Sequence, residues 1–172
     1  MSLEALATSV KGYFERVARE VFEDDPASNP NLGVEVLGVT TARDTPTMVV
    51  ITPWTVIGLA FPPDGGLPSE LRIDHHHYPV LANEVEAIGQ YHSVLLIPDV
   101  SGYADQAVVR EEVMALLPGL VRAVEKWRGE HVEVADSERR AFVRNLAGHR
   151  DPTPVASPFG APDDTTMPEL EE

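Results

Sequence analysis

At 172 residues, 43% of them hydrophobic and 24% charged, the chain is sized for one domain with a buried core and some residues left over for a tail. Its formal net charge of −15 argues against phosphate backbones and anionic membrane surfaces, which are bound by clustered Lys and Arg, and favours a cationic partner. With no cysteine, disulfides, thiolate metal sites and a cysteine nucleophile are excluded.

The first segment, residues 3–23, reads as an amphipathic helix. Leu3, Leu6, Val10, Phe14, Val17 and Val21 follow steps of three and four and share one face. It carries no apolar h-region of a signal peptide, and no stretch approaches the ~18 apolar residues of a membrane span, so a soluble cytoplasmic protein is expected. The helix should stop near Glu23, where Asp24-Asp25-Pro26-Ala27-Ser28-Asn29-Pro30-Asn31 forms a run of turn residues, polar enough to face solvent.

Residues 33–39 alternate weakly, as in a strand, and residues 42–46 form a turn. Residues 49–62 hold the longest apolar, β-branched run and read as two core strands, 47–52 and 55–61. Pro53 has no N–H to give a ladder, so the first strand should bend or stop there, leaving Trp54 half-buried at the bend. Residues 62–68 are a proline–glycine loop. Residues 70–78 suggest a strand carrying His75-His76-His77, broken or edged by Pro79. Residues 83–86 suggest a turn, and residues 88–98 another strand. Short connections between strands imply an antiparallel meander.

The period then changes. Val109, Val113, Leu116, Leu120, Val124 and Trp127 keep helical phase across Pro118. This predicts a kinked helix or two abutting helices, 105–117 and 118–128, with Gly129 as the stop. A shorter helix follows from Asp136 or Ser137 to Leu146, with Phe142 and Leu146 on its buried side. From Asp151 onward there are six acids, several prolines and no Lys or Arg, the composition of a disordered acidic tail. The expected organisation is a single domain over 1–148 and a tail over 149–172. The expected class is α+β: an antiparallel sheet of four to five strands with the N- and C-terminal helices packed on one face.

Little in the chain carries chemistry. On a strand, His75 and His77 share a face and suit two imidazoles on one ion, which leaves a small metal-binding or metal-delivering protein as one reading. The plain reading is a solvent-exposed polar strand edge. There is no G-x-S-x-G elbow, no G-x-G-x-x-G and no G-x-x-x-x-G-K-[ST] loop, so catalysis has no support and no cofactor or metal site is assigned. The Arg139-Arg140-Ala141-Phe142-Val143-Arg144 segment has twin-arginine character, but without a following h-region it is not an export signal.

Several segments taken in order resemble the HybE-type family of nickel–iron hydrogenase assembly chaperones, which includes HupJ-like proteins. They are the N-terminal helix with the Asn29-Pro30-Asn31-Leu32 turn, then Ile51-Thr52-Pro53-Trp54 and Phe61-Pro62. Gly89-Gln90-Tyr91, Tyr103-Ala104-Asp105-Gln106-Ala107 and Arg139-Arg140-Ala141-Phe142-Val143-Arg144 complete the set. The likeness covers roughly residues 5–148. Where family members usually carry a cysteine-containing stretch after the tyrosine, this chain has Ser93-Val94-Leu95-Leu96-Ile97-Pro98.

The resemblance implies a non-enzymatic cytoplasmic role. Such a protein holds an immature hydrogenase subunit, small or large, and in particular a small subunit bearing a twin-arginine signal. It implies partner-binding positions at Pro53, Trp54, Tyr91, Tyr103, Asp105, Gln106, Arg139, Arg140 and Phe142. A stable structural subunit of a hydrogenase complex is the alternative that one sequence leaves open.

Overall fold

The computed structural model describes residues 1–64 and 66–148, without the side chains of 131–136 and 145–148. The chain divides into two compact units, Met1–Glu130 and His131–Glu172. The expected acidic tail, 149–172, lies outside the described residues.

The elements of the first unit follow from local signals. Helix α1 spans Leu3–Glu20; Ser2 caps it by accepting from the Ala5 N–H at 3.1 Å, with Glu4 in its first turn and Arg19 in its last. Strands β1 (Glu35–Ala42) and β2 (Thr45–Ile51) form a hairpin around Arg43 and Asp44, with Arg43 at φ 64°. Strand β3 (Val56–Ala60) follows the Thr52–Thr55 turn. Strands β4 (Glu70–Ile73), β5 (His76–Val85) and β6 (Gly89–Ile97) lead into α2 (Gln106–Gly148).

All six strands form one antiparallel sheet in the order β1-β2-β3-β6-β5-β4. The expected four or five strands become six because the histidine run is not one strand. Asp74, at φ 56°, and His75 turn the chain, so β4 ends before the run and β5 starts inside it. Of residues 83–86, expected as a turn, only Glu86 turns; the turn falls at 86–88. Asn83 stays in β5, its amide donating to Leu81 O and Ser93 Oγ, both at 2.9 Å.

The two helices cover opposite faces of the sheet rather than one. Met48, Val50, Leu59 and Tyr91 point to α1 and pack with Val10 and Phe14. Val49, Ile51, Val56, Ala60, Val94 and Leu96 point the other way and pack with Val109, Val113, Leu120 and Val124 of α2. Strand β2 is therefore buried on both sides, which its continuous apolar sequence permits. Burying each of the Val, Leu, Ile, Met and Phe side chains among these contributes on the order of 1.5–3 kcal/mol.

The sheet also curls around α2. A Cβ placed on Gly38 of β1 falls 2.3 Å from the Leu117 side chain, and one placed on Gly119 falls 2.8 Å from Ile73 of β4. Two positions of α2 that close together thus touch strands at opposite ends of the sheet order. Gly38 allows this approach and, at φ 63°, supplies the left-handed residue of a bulge between Leu37 and Thr40.

Helix α2 passes through both expected breakpoints. Pro118 lies on its exposed side, as does Met114, whose carbonyl loses its helical donor, so that carbonyl lies within reach of water. Gly129 is not a stop. It is buried, and its missing Cβ leaves room for the Arg43 guanidinium, 3.0 Å from where that Cβ would sit. There is consequently no separate helix starting near Ser137. In the second unit the described part is the continuation of α2, in which residues 137–144 are exposed.

Candidate functional site

Three loops converge at the end of the sheet where β2 and β6 finish, and the expected site residues divide by whether they reach that end. The turn Thr52-Pro53-Trp54-Thr55 closes on itself. Thr52 N and Oγ1 donate to Thr55 O at 2.9 and 2.7 Å, and Thr52 Oγ1 accepts from Thr55 N at 2.9 Å. A hydroxyl that bonds the backbone two or three residues on fixes a turn in which Pro53 is not asked for a donor. Thr55 Oγ1 then donates to Ile97 O at 2.8 Å, fastening the turn to the end of β6.

Asn29 joins the three loops. It is buried, contrary to the expectation that its polar loop faces solvent. Its N–H donates to Pro53 O at 2.7 Å, and its side-chain amide donates to Val100 O at 2.9 Å and Tyr103 O at 2.7 Å. Its Oδ1 accepts from Asn31 N at 2.9 Å. Buried carbonyls need such donors, so one asparagine satisfies two loops at once.

Asp105 caps α2 by accepting from Ala107 N at 2.8 Å. Gln106 lays its amide along the backbone of Gly33, accepting from its N–H at 2.9 Å and donating to its carbonyl at 3.3 Å. The same amide nitrogen reaches Glu35, which Arg110 grips through two further bonds at 2.9 and 3.1 Å. The Arg110 hydrogen bond holds the Glu35 carboxyl below its usual range. Tyr103 donates to Glu112, which pushes its phenol up to about 12. Asp105, Gln106 and Tyr103 are thus committed to holding the α2 entry in place.

Pro53 and Trp54 have a different exposure. Both are half-buried, and the Trp54 indole stacks on Phe22 with ring centroids 4.0 Å apart and planes at 7°. This pair is the aromatic surface of the loop cluster. Among the expected positions, Pro53, Trp54, Tyr103, Asp105 and Gln106 are therefore brought together.

Tyr91 is not. It is buried on the α1 side of β6, its ring 5.8 Å from Phe61, and burial raises its phenol. It lies six residues before Ile97, roughly 20 Å along the strand. Arg139, Arg140 and Phe142 belong to the second unit. Phe142 is 64% exposed, so it does not mark a buried side.

The histidine run forms no shared ligand face. His75 is in the turn, His77 Nδ1 contacts Glu70, and the His76 ring lies 6.5 Å from Tyr78. Among the described residues, no group of three or more His, Cys, Asp or Glu side chains is disposed to hold a metal ion.

One buried charge cluster escaped the sequence reading. Arg128, only 1% exposed, grips Asp44 through two bonds of 2.7 and 2.9 Å, and also binds Asp64 and Gly66 O. It clamps the β1–β2 turn and the loop after β3 to α2. The bonds to Arg128 pull the Asp44 carboxyl down to about 2 and raise the guanidinium in turn. The signal was available: Arg128 stands four residues after Val124, on the buried stripe itself.

The fold and loop cluster describe an α+β domain with an aromatic surface patch on a hydrogen-bonded loop cluster. The family of NiFe-hydrogenase assembly chaperones named HybE matches residues 5–145, and the chain belongs to it. No curated protein and no solved structure matches.

Proposed function

We propose that this chain is a non-enzymatic cytoplasmic chaperone that holds an immature hydrogenase subunit before pairing or export. The client in this reading is the small subunit with its twin-arginine signal. The observation that carries it is the family match over residues 5–145; within that range the Thr52-Pro53-Trp54 turn and the segment from Tyr103 to Gln106 meet in one loop cluster around Asn29. The Trp54–Phe22 stack supplies an aromatic anchor of the kind that dominates protein interfaces. The formal charge of −15 suits an arginine-bearing segment. No described helix is long and apolar enough to cross a membrane.

Affinity capture with mass spectrometry from cells making the hydrogenase tests this. Recovery of a precursor subunit supports the reading, whereas recovery of the mature enzyme alone favours a structural subunit. The Trp54→Ala variant locates the anchor. A half-buried indole costs about 2 kcal/mol of stability on removal, while capture per folded molecule should fall about ten-fold or more. Unchanged capture with a large drop in melting temperature would make Trp54 a core residue only.

A further inference from the structure

The two free edges of the sheet differ. Strand β4 is 4 residues long, with exposed Glu70 and Arg72. Short length and charge are how natural sheets prevent an edge from pairing with another chain. Strand β1 is 8 residues long, and its one charge, Glu35, is at its first position. Among the described residues its ladder partner is β2 alone, and no turn or loop backbone bonds to it from outside. The bulge at Gly38 lies against Leu117, and it leaves paired stretches at 35–37 and 40–42.

Two exposed apolar side chains stand at this edge beside the Arg110–Glu35 pair. Arg110, Met114 and Leu117 form one row of α2. Arg110 reaches Glu35 and Leu117 reaches Gly38, so Met114 between them lies beside β1. Met114 is 53% exposed and Val39, on the bulge, 36%. Just before β1, the Gln106 amide already pairs with both backbone groups of Gly33 as a neighbouring strand would.

We infer that the outer edge of β1 is a docking strand for an extended, basic and apolar segment of an unfolded partner polypeptide. A strand edge is satisfied by an extended backbone and is tolerant of sequence, the property that holding an immature chain requires. Val39 and Met114 take the apolar side chains of the guest. Charge decides among the occupants. A second copy brings another −15, and the segment 151–172 carries six acids without Lys or Arg, so both are repelled where a cationic guest is attracted. Exposed Glu111 stands one turn before Met114 on α2. This inference rests on the chaperone reading and gives its client a place.

The test uses the full chain and synthetic peptides of about nine alternating Lys and Val residues, enough to span β1 at ~3.3 Å per residue. The expected result is saturable binding with slowed amide exchange confined to residues 35–42. A Glu–Val peptide, and a Lys–Val peptide N-methylated at alternate amides, should each bind about ten-fold more weakly or worse. The Val39→Lys/Met114→Lys variant, at two exposed positions, should keep its melting temperature and lose about ten-fold in affinity. Equal binding of the N-methylated peptide, protection centred on Leu81 and Leu95 instead, or concentration-dependent protection of 35–42 without peptide would each overturn the inference. A Val39→Lys/Met114→Lys chain that still captures precursor subunit like the parent would refute the edge and leave the chaperone reading standing. A parent chain that captures no precursor yet binds the Lys–Val peptide at β1 would do the reverse.

Discussion

Arg128 and Asn29 show how much of this fold hangs on single polar side chains placed where the sequence suggested either a stripe or a solvated loop. Arg128 is buried while its partners Asp44 and Asp64 keep a third to a half of their side chains in water. Replacing it by Met leaves two carboxylates facing each other without a cation. The expected loss at neutral pH is about 2–4 kcal/mol, below a fully buried pair because water reaches the acids. The pH dependence has a definite sign. Asp44 is held at about 2, below its unfolded value of about 3.9. Its stabilisation is therefore complete above about pH 4 and is lost as pH falls toward 2. Urea denaturation from pH 7 to 2 should show the parent losing stability in that window while Asp44→Asn is flatter there. The sequence made Arg128 legible in position, through the Val124 spacing, but not in partners, because both acids come from turns distant along the chain. Asn29 was legible only as a turn residue. Its burial depends on two carbonyls, of Val100 and Tyr103, that no local pattern points to.

The elements were read well where one local rule acted alone and poorly where tertiary contact overrode it. The Ser2-capped helix, the strands on either side of Pro53 and the change of period near Asp105 follow from propensity and pattern. Gly129 does not: it is a breaker by rank, yet α2 continues through it, as it does through Pro118, where the unbroken phase of the stripe already allowed one continuous helix. Glycine substitutions separate these cases. Gly38→Ala meets both a positive φ and the Leu117 side chain, and should cost about 2–3 kcal/mol. Gly129→Ala places a methyl against the movable end of Arg43 in a helical interior. Relief of glycine's helix penalty should then leave stability unchanged or raised by up to about 1 kcal/mol. Thermal melts of the two variants beside the parent decide it, since a true helix stop at Gly129 would make the alanine variant the less stable one. The histidine run misled for a related reason. Polar residues of one type hide a turn, and the left-handed Asp74 that makes it has no stronger signature than any other aspartate.

The arrangement of the whole sheet was within reach of the sequence through β2. A strand that packs on one face alternates, whereas Thr47 to Ile51 is buried without interruption and demands cover on both sides. Two helices on one face cannot supply that, and the structure places α1 and α2 on opposite faces. The cover is unequal. Helix α1 lies over β1 and β2, whereas on the same face of β5 and β6, Leu81 is 62% exposed and Leu95 47%. This asymmetry yields a paired expectation. Phe14→Ala removes an aromatic from the α1 side of the core and should cost about 3–4 kcal/mol. Val113→Ala on the α2 side removes two methyl groups and should cost about 2 kcal/mol, confirming that neither face is a solvent face. Leu81→Ser and Leu95→Ser, on the uncovered part of the α1 side, should each stay within about 0.5 kcal/mol of the parent. Urea midpoints with an unchanged slope measure all four. A near-neutral Phe14→Ala would mean that α1 only rests on the sheet, and a costly Leu81→Ser would mean that β5 and β6 are covered after all. With the expected outcome, the exposed leucines keep no role in folding, and any loss of client capture on their removal becomes a direct reading of contact at that face.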